Sequence, residues 1–357
     1  MSGCAIVRCD ASDKLGHGHF KRCLSLAGKL YSAFNYEVTF AMIEALIDEE
    51  EIRSKGFDLE LFTSRPPNID TEEQWLRWLI AGRKASVLVL DIRTNLDAEA
   101  LRFIRDENEI KLAVIDDASD RRKVADLAFY PPSPQVKKFD WKGARGQYFS
   151  GWQWVLLGSH LSFDTPTFPR GDNEKSLRET EGQRHCERLK LLVTAGATDP
   201  HGLTMRIIEP LLAMNQLFDV SVVAGPHFRW RDELRTYSNA LSIMEDVEKL
   251  PSEFAAADIA ITAFGVSAFE LAHLGTPAIH LCVSADHFES SSAFQSSGIA
   301  LSLPVFKGNV SGQLKLHLTQ LWKDPDLRSR MSERGAALVD GCGAHRIAEK
   351  IALFQGV

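Results

Sequence analysis

A glycine-bearing turn near the start of the chain carries the residues best suited to chemistry. Gly16, His17, Gly18 and His19 follow a short apolar run and precede a stretch with helical spacing. Glycines let the backbone come close to a ligand, and a histidine in the first turn of a helix can take a proton from water near pH 7. The same pattern is typical of a helix-capping turn with solvated histidines. It predicts a catalytic turn and leaves the capping turn open.

A second turn, at residues 194–202, has the composition of an anion-binding loop. An apolar run leads into Gly196, Thr198 and Asp199, and a helix follows. Backbone N–H groups and the threonine hydroxyl of such a loop can hold a phosphate. No Gly-Lys-Ser/Thr follows, so the loop does not match that of nucleoside triphosphatases. A plain strand-to-helix turn remains the alternative. The next strand ends at Gly225.

A third segment opens a helix after a strand. Gly265 and Val266 precede Ser267, which can cap the helix. We expect Glu270 in the first turn, where the helix dipole favours a carboxylate. It can equally accept hydrogen bonds from both hydroxyls of a ribose, and both roles stay open. His287 follows the end of the next strand and is a further candidate contact.

Acidic residues end two other strands, one at Asp91 and one at Asp116 and Asp117. Their separation in the sequence neither supports nor excludes a metal site. Capping of the following helices, or pairing with Arg121 or Arg122, is the favoured interpretation. We therefore predict no metal and no cofactor.

The bulk composition bounds the class of protein. The 357 residues suit two domains, and 45% hydrophobic with 25% charged residues is typical of a globular protein. A net charge of −7 argues against nucleic acid as a partner. No apolar run reaches the roughly 20 residues needed to cross a bilayer, so stable membrane insertion is not expected. Six scattered cysteines without a CxxC pair favour reduced thiols and a cytoplasmic location.

Short β-branched runs alternate with amphipathic helical stretches, as in parallel sheets covered by helices. Residues 164–187 are rich in proline, glycine and charge and predict an interdomain linker. We expect domains at 1–163 and 188–357, with the last helix able to pack back on the first domain. The expected α/β fold has two Rossmann-type domains whose parallel sheets face a central cleft, where such sheets bind ligands. The predicted strands are 4–9, 38–42, 86–90, 112–115, 127–130, 189–194, 220–224, 258–262 and 278–283.

Five segments, taken together, resemble the UDP-sugar hydrolases of the pseudaminic acid pathway, which cleave UDP-2,4-diacetamido-2,4,6-trideoxy-β-L-altropyranose to the free sugar and UDP. Residues 8–27 read Arg-x-Asp-Ala-Ser-x3-Gly-x-Gly-His-x2-Arg-Cys-Leu-x-Leu-Ala. The second to fifth segments are, in order, Ile115-Asp116-Asp117-x2-Asp120-Arg121, Gly196-x-Thr198-Asp199-Pro200, Glu270-x3-Leu274-Gly275-x-Pro277 and Val339-Asp340-Gly341-x-Gly343-Ala344-x-Arg346. Glycosyltransferases of the GT-B type, including the peptidoglycan N-acetylglucosaminyltransferase, share the third and fourth of these segments more loosely.

The resemblance implies a GT-B-like architecture in which the C-terminal domain holds most of the UDP. It implies His19 as the general base that activates water, Thr198 and the helix start near Ser267 at the diphosphate, and Glu270 at the ribose. We expect substrate contacts from Arg8, Asp10, Gly16, His17, Gly18, Arg22, Asp91 and His287. We expect nucleotide contacts from Gly196, Thr198, Asp199, Gly225, Gly265, Val266, Ser267 and Glu270.

The chain departs from that family's pattern at expected sugar and phosphate contacts. Ala197 stands where a second glycine is usual, and Gly202 where an asparagine is usual. His287 and Phe288 stand where Asn-Gln is usual, and Gly158 where an arginine is usual. The turn at His19 is retained, so it predicts activated water more directly than it predicts the sugar.

Three hypotheses follow, and each has a small nucleotide sugar, most readily a UDP-sugar, as the partner. The first is a hydrolase that inverts the anomeric carbon. It needs no acid, because N–H donors can stabilise the departing diphosphate. The alternative is a GT-B glycosyltransferase, which differs only in which hydroxyl reaches His19. The third is a nucleotide-sugar-binding protein without catalysis.

Overall fold

The chain divides into two compact units, one formed by Met1–Ser162 with Gly341–Val357 and one by Phe163–Asp340. The computed structural model describes residues 3–158, 161, 188–225, 227–245, 247, 250–305 and 311–354. The predicted linker at 164–187 lies outside these residues. Within the described ranges, no helix is both long and apolar enough to cross a membrane.

The first unit contains a seven-stranded parallel sheet. Its strands are β1 (Cys4–Cys9), β2 (Glu37–Met42), β3 (Asp58–Leu61), β4 (Val87–Asp91), β5 (Lys111–Ile115), β6 (Leu127–Tyr130) and β7 (Gln147–Ser150). Its first helices are α1 (Gly18–Phe34), α2 (Glu50–Arg53), α3 (Glu72–Arg83), α4 (Ala98–Asn108) and α5 (Arg121–Val124). The strand order is β3-β2-β1-β4-β5-β6-β7, so the direction of winding reverses between β1 and β4.

The sequence explains why these elements form. The central strands are buried on both faces, which is why they appear as continuous apolar runs. Helix α1 buries Cys23, Ala27 and Leu30 on the face that packs against the sheet. It ends at Asn35, whose left-handed backbone (φ 57°) lets its N–H reach the carbonyls of the last turn.

The second unit repeats the plan with a six-stranded parallel sheet. Its strands are β8 (Leu189–Thr194), β9 (Phe218–Ala224), β10 (Ser242–Glu245), β11 (Ile259–Ala263), β12 (Ala278–Leu281) and β13 (Ala300–Ser302). Its helices are α6 (Leu203–Leu212), α7 (Arg231–Arg235), α8 (Leu250–Ala256), α9 (Val266–His273), α10 (Ala285–Ser296), α11 (Ser311–Lys323) and α12 (Pro325–Leu338). The order is β10-β9-β8-β11-β12-β13, so winding reverses between β8 and β11.

The last helix, α13 (Gly343–Leu353), groups with the first unit although it is last in the sequence. Ala344, Ile347, Ala348 and Ile351 of this helix are buried in the core that α1 and the first sheet share. The sequence-based second domain of 188–357 was expected with a last helix able to pack back on the first domain; in the structure the second unit stops at Asp340, and α13 groups with the first unit.

Candidate functional site

The site of the first unit lies where its strand order reverses, which is where open α/β sheets bind ligands. Strand β1 ends beside the end of β4, with Cys9 paired to Asp91 in the parallel register. The turn after β1 leads into α1, whose second residue is His19. Nδ1 of His19 lies 2.6 Å from Oδ1 of Asp91. The histidine and the aspartate predicted from separate motifs are thus brought together.

Arg22 is the second partner of Asp91, and the thiol of Cys23, 3.5 Å from Oδ2, is the third. Nε and Nη2 of Arg22 each lie 2.6 Å from a different oxygen of the Asp91 carboxylate, which is fully buried. Burial alone would raise the pKa of Asp91, but the charge of Arg22, aided by His19, outweighs it and holds the pKa well below its ordinary value. Asp91 is therefore ionised throughout the physiological range.

The ionised carboxylate fixes the tautomer of His19. A carboxylate without a proton can only accept hydrogen bonds, so Nδ1 of His19 must carry the hydrogen that it donates to Asp91. In the neutral ring the lone pair is then on Nε2. The side chain is 18% exposed, and no hydrogen bond to Nε2 exists among the described residues. This is the arrangement that a general base requires.

The charges continue outward from Arg22. Its Nη1 lies 3.5 Å from Oδ2 of Asp116, and Nη2 of Arg93 lies 3.4 Å from the same oxygen. Asp116 has a left-handed backbone (φ 53°) at the end of β5. Negative and positive side chains thus alternate from Asp91 through Arg22 and Asp116 to Arg93. Arg93 is not among the residues predicted from the sequence; its position two residues after Asp91, at a strand end, was the available signal.

The neighbouring Asp117 has a different partner. Its Oδ2 accepts from Nε of Arg121 at 2.6 Å, as the sequence predicted for one of the two acidic residues. Its backbone carbonyl accepts from the hydroxyl of Tyr130 at 2.7 Å. Within the described ranges, no group of three or more acidic, histidine or cysteine residues is arranged to hold a metal ion.

Arg8 and Asp10 lie inside the protein beneath the turn. Arg8 is fully buried, with Nη1 2.7 Å from Asp10 and Nε 2.7 Å from Glu72 at the start of α3. Oδ1 of Asp10 also accepts from the backbone N–H groups of Ile43 and Glu44, at 2.8 and 3.0 Å. These bonds tie β1 to the loop after β2 and to α3. Direct contact of either residue with substrate stays a prediction.

The rest of the turn has the geometry that its glycines allow. Gly16 has a φ of 69° and donates its N–H to the carbonyl of Ser12 at 2.7 Å. An added Cβ at Gly16 would meet no atom within 4 Å, so glycine is needed for conformation and not for space. His17 is the N-cap of α1 and Gly18 its first residue.

In the second unit, the turn after β8 lies where that sheet reverses its order. Gly196 has a φ of 90° and open space around it, and Thr198 is buried. Asp199 is also buried, and its two oxygens accept from the N–H groups of Leu203 and Thr204 at 2.8 and 2.9 Å. The carboxylate of Asp199 thus holds the start of α6 in place.

Gly225, at the end of β9, lies against that same turn. A Cβ at this position would come within 2.7 Å of the Cα and carbonyl oxygen of Ala197. Gly225 therefore shapes the predicted phosphate turn by letting two backbones approach closely. Whether its own N–H contacts the nucleotide stays a prediction.

Helix α9 corrects two expectations. It begins at Val266 after Gly265, and the N-cap makes no side-chain hydrogen bond, so Ser267 is the second residue of the helix and not its cap. No acidic residue lies in its first turn. Since the helix starts at Val266, one turn before Glu270, that glutamate is its fifth residue. The side chain of Glu270 is buried.

His287 lies in the first turn of α10, which follows β12, the neighbour of β11 in the second sheet. Its N–H donates to Oγ of the cap residue Ser284 at 3.1 Å. Its ring centroid is 5.9 Å from that of Phe264, which follows β11. His287 therefore belongs with the second unit's set of predicted contacts.

Three known proteins are similar to this chain in sequence. No family model matches the chain. An uncharacterized protein of Methanocaldococcus jannaschii is 25% identical over 282 residues, covering 76% of this chain but only 54% of that protein. The spore coat polysaccharide biosynthesis protein SpsG of Bacillus subtilis is 22% identical over 290 residues, 79% of this chain and 80% of SpsG. The UDP-N-acetylglucosamine–N-acetylmuramyl-(pentapeptide) pyrophosphoryl-undecaprenol N-acetylglucosamine transferase of Salinibacter ruber is 30% identical over 146 residues, 39% of this chain and 38% of that enzyme.

Solved structures agree on the fold. MurG of Acinetobacter baumannii aligns with a TM-score of 0.65 at 12% identity, over 99% of this chain and all of that one. HepE of Anabaena, solved with UDP and glucose, aligns with a TM-score of 0.64 at 12% identity, over 99% and 100% of the two chains. The chain therefore has the α/β fold of GT-B glycosyltransferases, with two Rossmann-like units each built on a parallel sheet.

Proposed function

We propose that this chain is an enzyme that uses a nucleotide-activated sugar, a UDP-sugar by preference, as a glycosyl donor for transfer to an acceptor hydroxyl. The observation that carries the proposal is the pairing of His19 with the buried, ionised Asp91. It leaves Nε2 of His19 free to take a proton. The GT-B fold and the named glycosyltransferases among the similar proteins favour transfer over hydrolysis.

The proposed reaction is a direct displacement. The acceptor oxygen gives its proton to Nε2 of His19 and bonds to the anomeric carbon, while the bond from that carbon to the diphosphate oxygen breaks. The electron pair leaves with the nucleoside diphosphate, and the anomeric configuration inverts. A diphosphate is a weak base, so N–H donors can stabilise its growing charge without a general acid. We assign this task to the turn at Gly196 and the start of α9 at Val266 and Ser267.

Hydrolysis is the second candidate, and the chemistry differs only in that water replaces the acceptor. The N-terminal motif, residues 8–27, favours it, because that segment resembles UDP-sugar hydrolases. In this case the product is the free sugar, and we propose that this sugar is an intermediate in the synthesis of pseudaminic acid or a related nonulosonic acid.

The test is a panel of UDP-, GDP- and CMP-sugars, each incubated with the protein with and without a set of sugar and lipid-linked acceptors. Release of nucleoside diphosphate only when an acceptor is present supports transfer, and release of free sugar without acceptor supports hydrolysis. His19→Ala should abolish either reaction, whereas His345→Ala, an exposed histidine of α13, should not. Turnover that survives in His19→Ala, or a product with the donor's anomeric configuration by proton NMR, would overturn the mechanism.

A further inference from the structure

An aromatic side chain is attached to the turn that we assign to the diphosphate. Trp230, which precedes α7, donates from Nε1 to the backbone carbonyl of Asp199 at 3.2 Å. Its ring also lies against Gly202, where an added Cβ would come within 3.1 Å of Cζ2 and 3.2 Å of Cε2. The side chain is nevertheless 37% exposed. A large aromatic ring is thus held at the carboxyl edge of the second sheet with surface still open to a ligand.

Gly202 is the residue on which this ring packs. Its φ of 59° lies in the left-handed region, and the space in front of it is occupied by Trp230. Glycine therefore permits both the left-handed backbone and the close contact with the ring at this position.

Neighbouring contacts fix the segment that bears the ring. Nη2 of Arg231 donates to the carbonyl of Gly225 at 2.8 Å, and its Nη1 lies 2.9 Å from Glu245 at the end of β10. Gly225 in turn lies against Ala197 of the β8 turn. The ring is therefore bonded to the predicted phosphate turn through its own Nε1, and the next residue, Arg231, is linked to that turn through Gly225. A rigid, partly exposed aromatic surface loses little conformational freedom when a flat ligand binds it.

Resting on the proposed function, we propose that Trp230 is the platform on which the base of the donor nucleotide stacks. Base-to-aromatic stacking is independent of the hydrogen-bonding edge of the base. The platform therefore contributes to affinity for the nucleoside part and leaves the choice among bases to other contacts. The ring has no group that would bind the diphosphate itself, and its Nε1 bond to Asp199 supports the turn, so pyrophosphate binding reports that support separately from the loss of base stacking.

The experiment measures binding of UDP and of inorganic pyrophosphate by isothermal titration calorimetry in wild type, Trp230→Leu and Trp230→Phe. Loss of a stacked base corresponds to a change of roughly 5- to 150-fold in affinity. We expect Trp230→Leu to weaken UDP by that factor and to change pyrophosphate affinity by less than about twofold, and Trp230→Phe to retain part of the UDP affinity. Trp78→Leu is the matched control, because Trp78 is a similarly exposed tryptophan (43%) on α3 of the first unit.

The outcomes separate this inference from the proposed function. If wild type binds UDP and Trp230→Leu binds it equally well, the platform is wrong and the proposed function stands. If UDP and pyrophosphate weaken in parallel, Trp230 only supports the turn, and the stacking role is overturned. If wild type binds none of UDP, GDP, CDP, ADP and dTDP, the nucleotide-sugar function fails and the platform fails with it.

Discussion

Two partners of the Asp91 carboxylate, Arg22 and His19, have different consequences for the proposed base. Arg22 keeps Asp91 ionised despite its burial, and the ionised form is what holds the hydrogen of His19 on Nδ1. A buried carboxylate whose only partner was histidine would be more easily protonated, since burial disfavours the charge. Arg22, predicted as a substrate contact, therefore has at least one role within the protein itself.

Replacing Asp91 by asparagine tests the tautomer. The asparagine side chain has nearly the same shape, but its neutral amide no longer requires Nδ1 of His19 to carry the hydrogen. General-base catalysis by a positioned side chain contributes about 10²- to 10⁴-fold to turnover, and a histidine in the wrong tautomer loses this contribution. We expect Asp91→Asn to cause a fall in that range in the rate of nucleoside diphosphate release, with donor affinity little changed. Asp97→Asn, which keeps the N-cap of α4, is the control, and an equal fall there would count against the assignment.

Removing Arg22 tests how Asp91 stays charged. The folded protein lowers the pKa of Asp91 below its value in the unfolded chain, which is about 3.9. The Arg22–Asp91 pair therefore stabilises the fold fully at any pH above that value, and this contribution is lost only as the pH falls through the pKa of the folded state. Arg22→Gln leaves a buried charge without its main partner, which costs about 3–5 kcal/mol. In the variant burial raises the pKa, so the destabilisation should be larger at pH 7 than at pH 4.5.

The measurement is urea unfolding of wild type and Arg22→Gln at both pH values. Arg53→Gln is the control, since Arg53 forms an exposed i,i+4 pair with Glu49, and such pairs contribute about 0.5 kcal/mol or less. A loss of stability in Arg22→Gln that is identical at pH 7 and pH 4.5 would show that Asp91 is not the group involved.

Among the elements, burial decides which strands the sequence reveals. All nine predicted strands are present, with ends that agree within two residues. The four that were not predicted, β3, β7, β10 and β13, are the edge strands of the two sheets. They are three or four residues long, and β7 is mostly exposed. A short edge strand has few apolar residues, so its sequence resembles a loop.

The same contrast holds for the candidate sites. The turn at His19 and the strand end at Asp91 could each be recognised locally, but their 2.6 Å contact depends on the alignment of β1 with β4, which no local pattern encodes. The strand-to-helix turn before α9 was predicted, but the cap was expected at Ser267 instead of Gly265, because a glycine N-cap has no side chain that would mark it in the sequence. Trp230 could not be predicted from a local pattern, because its contact with Gly202 joins residues 28 positions apart.

Substitution of Gly225 tests the predicted phosphate turn that follows β8. An alanine there would place its Cβ 2.7 Å from the backbone of Ala197, so β9 or the turn must shift. We expect Gly225→Ala to cost about 1–3 kcal/mol and to weaken binding of both UDP and pyrophosphate, since the turn itself moves. Gly312→Ala in α11, where an added Cβ meets no atom within 4 Å, should be neutral or slightly stabilising. Unchanged pyrophosphate binding in Gly225→Ala would argue against a phosphate site at this turn.

For the whole molecule, the two units share one plan but carry different groups at the equivalent place. Each sheet reverses its strand order once, between β1 and β4 or between β8 and β11. In the first unit this position carries an ionised carboxylate, an arginine and a histidine. In the second it carries the turns at Gly196 and Gly265, where an added Cβ would meet no atom within 4 Å. The charged side chains suit proton transfer, and backbone N–H groups at such open turns are the ones that we assign to the diphosphate.

This division predicts that a destabilising substitution in the hydrophobic core of the first unit lowers turnover without weakening nucleotide binding. Ile347 of α13 is fully buried in the core of the first unit, although it lies after the second unit in the sequence. Ile347→Ala should destabilise that unit by about 2–5 kcal/mol, so turnover should be lost at a lower temperature than in wild type. UDP affinity should be unchanged, because the turns assigned to the nucleotide belong to the other core.

Thermal unfolding with and without UDP, together with UDP titration, measures both effects. UDP should raise the unfolding temperature of the second unit, while Ile347→Ala should lower that of the first. Glu349→Ala, an exposed position on the same helix, should change neither. If Ile347→Ala weakens UDP binding as much as it lowers turnover at a temperature where the variant is folded, the assignment of the nucleotide to the second unit is wrong.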